Sequence, residues 1–297
     1  NYKKSKCEIY YHKNKNDIIK IINYAIKNDK KILPIGSGLS WFDTIFNSEN
    51  IILNLEKFKK KFFFDKKKGE LIISSQFKIR EIIYQLNKFG WSLYSIPGGG
   101  DVSIGGCIGN DVHGKDSFKY GNFSQSIIEL EIILPNKRIV KCSKKKNSEI
   151  FKSACGGLGL LGVITEIKIK LKPIAKVYSS INVPCNNYKE LIKNLYEDIN
   201  NFDYINGWVD IFAENNKIGR SIIFKLKKIE NKNLTSDNIN TSKILNVVQK
   251  IFFSFCVKNN FTKYINFLIF LLFKFKRNNI NSYKDISFPL SSYVVDI

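Results

Sequence analysis

The chain has 297 residues and a formal charge of +22, from 48 Lys and Arg against 26 Asp and Glu, with 44% hydrophobic residues. That length accommodates two domains and a sizeable core, and the apolar share excludes an intrinsically disordered chain despite the charge. Six Cys at positions 7, 107, 142, 155, 185 and 256 contain no C-x-x-C pair, and there are only two His, so neither a disulfide framework nor a metal site is expected. All the basic residues but Arg80, Arg138, Arg220 and Arg277 are Lys. Proteins that read nucleic acid rely on Arg for bidentate contacts, so no specific nucleic-acid partner is expected. Asn1 is not an initiator and no Met occurs, so the sequence reads as a fragment, with no signal peptide at its start.

Along the chain, Ile18, Ile19, Ile22, Ala25 and Ile26 recur at helical spacing after a polar Asn14 to Asp17 start, and Lys31 to Ile35 reads as a strand. Strands follow at Ile51 to Leu55 and across Phe62 to Ser75, around a turn at Lys66 to Gly69. Ile79, Ile82, Ile83, Leu86 and Phe89 then mark a helix closed by Gly90. A hairpin is expected from Ile127 to Leu134 and Arg138 to Cys142, a helix near Ser148 to Ser153, and an alternating strand from Val163 to Leu171, closed by Pro173. Composition shifts near residue 176. The expected division is residues 1–175, in two subdomains of about 1–95 and 96–175, and a second domain at 176–297 cut short at its C-terminus.

Residues 225–277 carry 11 basic and 2 acidic residues. Their longest uncharged apolar run, Tyr264 to Phe273, is far shorter than the roughly 20 residues that span a bilayer. Peripheral contact of 247–277 with anionic lipid is one reading, and ordinary core helices with solvated Lys are the other. His12 reads as a surface residue, and Cys107 and Cys155 as packed thiols.

Fourteen of the 18 glycines fall in three windows, 36–38, 98–121 and 156–162. Loops of this kind offer many backbone N–H groups with no Cβ to block a close approach, which suits a pyrophosphate and a flat ring system. Gly157, Gly159 and Gly162 match a G-x-G-x-x-G by letter, but a strand rather than a helix follows, so this is not a Rossmann turn. The first window comprises Pro34, Ile35, Gly36, Ser37, Gly38, Leu39, Ser40, Trp41, Phe42 and Asp43. The second runs from Pro97 and Gly98 through Ser103, Ile104, Gly105 and Gly106 to Asn110, Asp111, Val112, His113, Gly114 and Lys115. The third leads into Gly162, Val163 and Ile164.

Together these windows resemble the vanillyl-alcohol oxidase type of flavoprotein, with its PCMH-type FAD-binding domain. The resemblance covers about Lys31 to Pro173. It implies an α+β fold: an FAD-binding domain of two α+β subdomains, followed by a partial α+β substrate or cap domain. It also implies FAD as cofactor, held by the residues just named, with the first window around the pyrophosphate and the second against the flavin. His113 and Lys115 would stand near the flavin edge in catalytic roles, stabilising the charge of the reduced ring. Asp111 is either a base or a turn residue, and Arg220 pairs either with a substrate phosphate or with Asp210. The family's covalent members attach flavin through a His where this chain has Leu39, so non-covalent FAD is expected.

Within the family, Asn110 to Lys115 with Gly121, Asn122 and Phe123 is most similar to the flavin subunits of decaprenylphosphoryl-ribose 2-epimerases. Trp208 to Asp210, Lys217 to Ser221 and Ser287 to Leu290 also look like that subgroup. This resemblance implies oxidation of a secondary hydroxyl on a lipid-linked pentose during cell-envelope synthesis, with a partner short-chain reductase. The alternatives are an aldonolactone or alditol-type sugar oxidase, and a non-catalytic flavin-fold assembly protein. That subgroup's C-terminal Tyr-x-x-Lys element does not occur after residue 180. Reduced thiols and the lack of a signal peptide lead to an expected cytoplasmic location, with peripheral contact at the inner membrane face.

Overall fold

The computed structural model describes residues 6–40, 44–229, 262–275 and 278–287. The chain divides into two compact units, Asn1–Pro173 and Ile174–Ile297.

The first unit begins with β1 (Glu8–Tyr11), α1 (Lys15–Lys27), β2 (Ile32–Ile35) and β3 (Ile51–Asn54). Its three strands are all parallel, in the order β1-β3-β2. The central strand is buried at Ile51, Ile52 and Leu53, as an apolar run in a covered parallel sheet should be. Asn14 caps α1, its side chain accepting a hydrogen bond from the Asp17 N–H at 3.0 Å. Ile18, Ile22 and Ala25 form the buried face of α1, whereas Ile26, expected on the same face, is exposed.

Next come β4 (Phe62–Asp65), β5 (Glu70–Ser74), α2 (Ile79–Asn87), β6 (Trp91–Ser92), α3 (Ile104–Gly109) and α4 (Ser117–Tyr120). They are followed by β7 (Ile127–Ile133), β8 (Ile139–Cys142), α5 (Ser148–Ala154), β9 (Val163–Lys170) and β10 (Lys172–Pro173). An antiparallel sheet of order β4-β5-β9-β7-β8 results. The late strand β9 enters between β5 and β7, so strands from both sides of residue 95 share one sheet, and the expected subdomain division at 95 does not follow the sheets. Pro173 does not simply close β9, because Lys172 and Pro173 pair with Ser92 and Trp91. Ile18, Ile22, Leu53, Leu55, Phe58, Ile133 and Val163 form one core cluster, which ties α1 and the parallel sheet to β7 and β9.

One buried polar group departs from the sequence reading. His12 is 1% exposed rather than on the surface, with its ring 5.8 Å from Phe58 and neither ring nitrogen hydrogen-bonded. The chain turns from β1 into α1 at this point and places the imidazole against the core, where burial lowers its pKa to about 4. Asp116 is also buried. It accepts from the Ser95 N–H at 3.1 Å and pairs with the Lys172 ammonium, which lies against the rings of Tyr94 and Tyr120.

The second unit contains β11 (Val177–Cys185), α6 (Tyr188–Tyr196), β12 (Tyr204–Val209), β13 (Ser221–Lys228), α7 (Thr262–Phe275), β14 (Asn278–Ser282) and α8 (Tyr283–Ser287). The strands form an antiparallel sheet of order β12-β13-β11-β14, with α6 and α7 packed on β11 and β13. Most of the basic 225–277 segment, and the residues from Pro289 to Leu290, lie outside the described residues. Among the described residues no helix is long and apolar enough to cross a membrane.

Candidate cofactor site

The first glycine window leaves the C-terminal end of β2, where a parallel sheet opens a crevice beside its strand ends. Gly36 lies directly against Ser103. A Cβ at position 36 would fall 1.9 Å from Ser103 Oγ, so only glycine fits. The third window closes on both of the others. Gly159 packs on Pro34, while the N–H groups of Gly156 and Leu158 donate to Ile108 O and Gly109 O at 3.0 and 2.8 Å. Three windows far apart in sequence thus meet at one place.

Their donors are not equivalent. Ser103 caps α3, its Oγ accepting from Gly106 N–H at 3.2 Å, and the N–H groups of Ile104 and Gly105 donate to Phe77 O and Ser75 O. The start of α3 is therefore already engaged by protein acceptors. Among the described residues, no protein acceptor takes the N–H groups of Gly36, Ser37 and Gly38, which leaves them available to an anion. They border a cavity of about 140 Å³, also lined by Ile35, Asn54, Glu56, Gln76 and Lys78. Gln76 is 7% exposed. Its Nε2 donates to Phe58 O at 2.6 Å, and its Oε1 has no partner.

The cavity thus combines free amide donors and an ammonium, suited to phosphate, and Gln76 in its lining keeps a buried acceptor without a partner among the described residues. An ADP-type half of FAD offers phosphate oxygens to such donors and hydroxyl and amine groups to such an acceptor, so these residues fit the cofactor that the sequence implies. Gln76, Lys78, Asn54 and Glu56 were not identified from sequence. They sit at ordinary strand ends, and no unusual composition marks them.

The remaining expected residues are spread more widely. Leu39 and Gly98 are exposed, Ser40 follows the loop, and Pro97 is half-buried; Trp41 and Asp43 lie outside the described residues. Asn110 caps α3 and bonds Gly106 O. Asp111 accepts from Ser124 N–H at 2.9 Å and from Asn122 at 3.5 Å, which ties its loop to the segment that leads into β7. Val112 N–H donates to Cys107 O, and Phe123 N–H donates to Val112 O. Gly114 presses on the Ser95–Ile96 backbone, where a Cβ would meet Ser95 C at 2.4 Å, and this fixes the path of the chain between exposed His113 and half-buried Lys115. Burial lowers the Lys115 pKa to about 8, with Asp116 opposing the shift. Gly162 lies under Ile133 O, while Val163 and Ile164 pair with Ile133 and Ile132. Val163 belongs to the core cluster and Ile164 is also buried, so their side chains serve packing.

Cys107 and Cys155 are pushed by burial to about 12, which keeps them as thiols. In the second unit Arg220 takes the protein partner rather than an external phosphate. Its guanidinium pairs with buried Asp210, whose other oxygen accepts from Asn266 at 2.9 Å. No group of three or more His, Cys, Asp or Glu able to hold a metal comes together among the described residues.

Residues 9–143 match the family described as FAD binding domain. The match lies wholly within the first unit, reaches all three strands of its parallel sheet and takes in the first two glycine windows. The chain is similar to L-gulonolactone oxidase of Mus musculus, at 24% identity over 66% of this chain and 44% of that enzyme. It is also similar to a putative D-arabinono-1,4-lactone oxidase of Neurospora crassa, at 29% identity over 53% of this chain and 28% of that protein. Cytokinin dehydrogenase 1 of Arabidopsis thaliana matches at 26% identity over 64% of this chain and 34% of that enzyme. The chain thus spans less than half the length of each of these relatives. They are lactone oxidases and a cytokinin dehydrogenase, so the expected affinity to the epimerase flavin subunits gives way to a likeness with aldonolactone oxidases.

Proposed function

We propose that this chain is the FAD-binding portion of an oxidoreductase that oxidises a CH–OH group of a sugar-derived lactone or polyol. The observation that carries this reading is the convergence of the three glycine windows around unpartnered Gly36–Gly38 amides, in a domain whose relatives include lactone oxidases. The reading on a lipid-linked pentose, with epimerisation and a partner reductase, finds no support among those relatives.

In such a reaction the carbinol C–H bond breaks with its electron pair, the hydroxyl proton leaves, and a carbonyl forms. Bound FAD supplies the two-electron acceptor. The amides of Gly36–Gly38 and the Lys78 ammonium would hold its diphosphate, and the buried Gln76 amide oxygen would take a hydroxyl or amine donor of the same cofactor half. Gly114, lodged against Ser95, fixes the path of the His113–Lys115 segment, whose donor and ammonium groups would stabilise negative charge on the cofactor ring. Leu39 offers no nucleophile for a flavin bond, so the cofactor is held non-covalently.

The test is the visible spectrum of the purified chain supplied with FAD, repeated on the supernatant after acid precipitation. It is followed by anaerobic additions of L-gulono-1,4-lactone, D-arabinono-1,4-lactone and a cytokinin. Flavin released into the supernatant and bleached by a lactone is the expected result. Flavin in the pellet overturns the non-covalent reading, and bleaching by the cytokinin alone overturns the substrate class.

A further inference from the structure

Helix α7 is apolar on two sides. Ile265 and Phe270 are buried, and Phe273 packs edge-on against Phe224 of β13 at 5.3 Å between ring centroids. Away from the sheet, Tyr264, Leu268, Leu272 and Phe275 recur at helical spacing and are exposed, Leu272 by 62% and Phe275 by 81%. The connection between β12 and β13, held against one side of the helix, also exposes Ile211, by 81%, and Ile218.

Three contacts hold that connection to the helix, so the face is a built surface rather than scattered side chains. Asn266 donates to Asp210 at 2.9 Å, Lys263 pairs with Glu214 at 2.7 Å, and the Arg220 guanidinium stacks 5.0 Å from the Phe267 ring centroid. Contiguous apolar surface of this kind marks an interaction site. Its charged neighbours among the described residues are Lys217, Lys263, Lys274 and Glu214, three cations against one anion.

We propose that the outer face of α7, together with Ile211 and Ile218, docks on the surface of an anionic lipid bilayer. The charge decides the occupant: a cationic fringe around exposed Leu and aromatic side chains is complementary to an acidic headgroup layer above acyl chains. A 14-residue helix is about 21 Å long, too short to span a bilayer but suited to lying in its plane. This inference does not rest on the proposed oxidation.

The test is flotation of the FAD-supplied chain with vesicles of phosphatidylcholine mixed with phosphatidylglycerol, and with phosphatidylcholine alone. A Leu268→Ser, Leu272→Ser variant leaves the charge unchanged, and its thermal midpoint is compared with that of the parent. The parent is expected to float with the mixed vesicles and to keep part of that binding in high salt, which screens the lysines but not apolar insertion. The variant is expected to melt near the parent and to partition about tenfold less. Equal partitioning of parent and variant overturns the proposal in favour of lysine adhesion alone. Absence of parent binding also overturns it, and self-association of the parent that the variant loses would assign the face to a second copy.

Discussion

Gly36 and Ser103 touch so closely that a Cβ on Gly36 would overlap Ser103 Oγ at 1.9 Å. This contact joins the loop after β2 to the cap of α3. Gly36→Ala is therefore expected to move the loop, reduce bound flavin at least about tenfold and destabilise the chain by about 1–3 kcal/mol, as overpacking does. Ser103→Gly in the same chain removes both clashing atoms and is expected to restore flavin binding in part. Flavin content and thermal midpoints of the two variants provide the check, and an unperturbed Gly36→Ala protein would refute the contact.

Gln76 lines the cavity beside Gly36–Gly38, and its buried amide oxygen has no partner among the described residues. Gln76→Leu removes that acceptor at similar volume, so FAD affinity is expected to fall about tenfold, the worth of one buried hydrogen bond. Riboflavin, which has no ADP half, is expected to bind parent and variant alike. Titration by flavin fluorescence measures both, and equal FAD affinity would remove Gln76 from the site.

Lys115 has its pKa lowered by burial from 10.5 to about 8. If its cationic form stabilises the reduced flavin, the rate of anaerobic flavin bleaching falls as pH rises through about 8. Lys115→Met is expected to be slower at neutral pH and to lack that limb of the profile. A profile that survives the substitution assigns it to another group.

His12 is held neutral at a pKa of about 4, below the ordinary 6.5 of an unfolded chain. As pH falls from about 6.5 toward 4 the unfolded state takes up a proton that the folded state refuses, so stability declines across that window and is fully present above it. The loss is on the order of 3 kcal/mol. Urea midpoints of the parent should drop between pH of about 7 and about 5, and those of His12→Leu should drop less. Parallel declines in the two proteins would place the acid sensitivity elsewhere.

The resemblance gave the cofactor class because glycine windows carry a local requirement: residues that must accept close backbone approach or positive φ show themselves by type. Elements with strong periodicity were legible for the same reason, among them α1, α2 and the alternating β9. His12 was not, since nothing local to Glu8–Tyr11 says which way the chain turns into α1 or that Phe58 waits beneath the ring. Arg220 likewise had two chemically sound partners on paper. The β12–β13 pairing, which faces Val209 with Ser221, brings Asp210 beside it and decides between them.

Sequence alone determined several segments of the first unit, among them α1, α2, β7 to β9 and the glycine loops, because propensity, periodicity and glycine placement act over a few residues. Tertiary structure decided which donors remained available. The N–H groups at the start of α3 are satisfied by Ser75, Phe77 and Ser103, while those of Gly36–Gly38 find no acceptor among the described residues. Hydrogen-bond saturation depends on neighbours brought together from distant parts of the chain, and this is why the Gln76 acceptor and the shared Gly36–Ser103 contact emerged only from the folded arrangement.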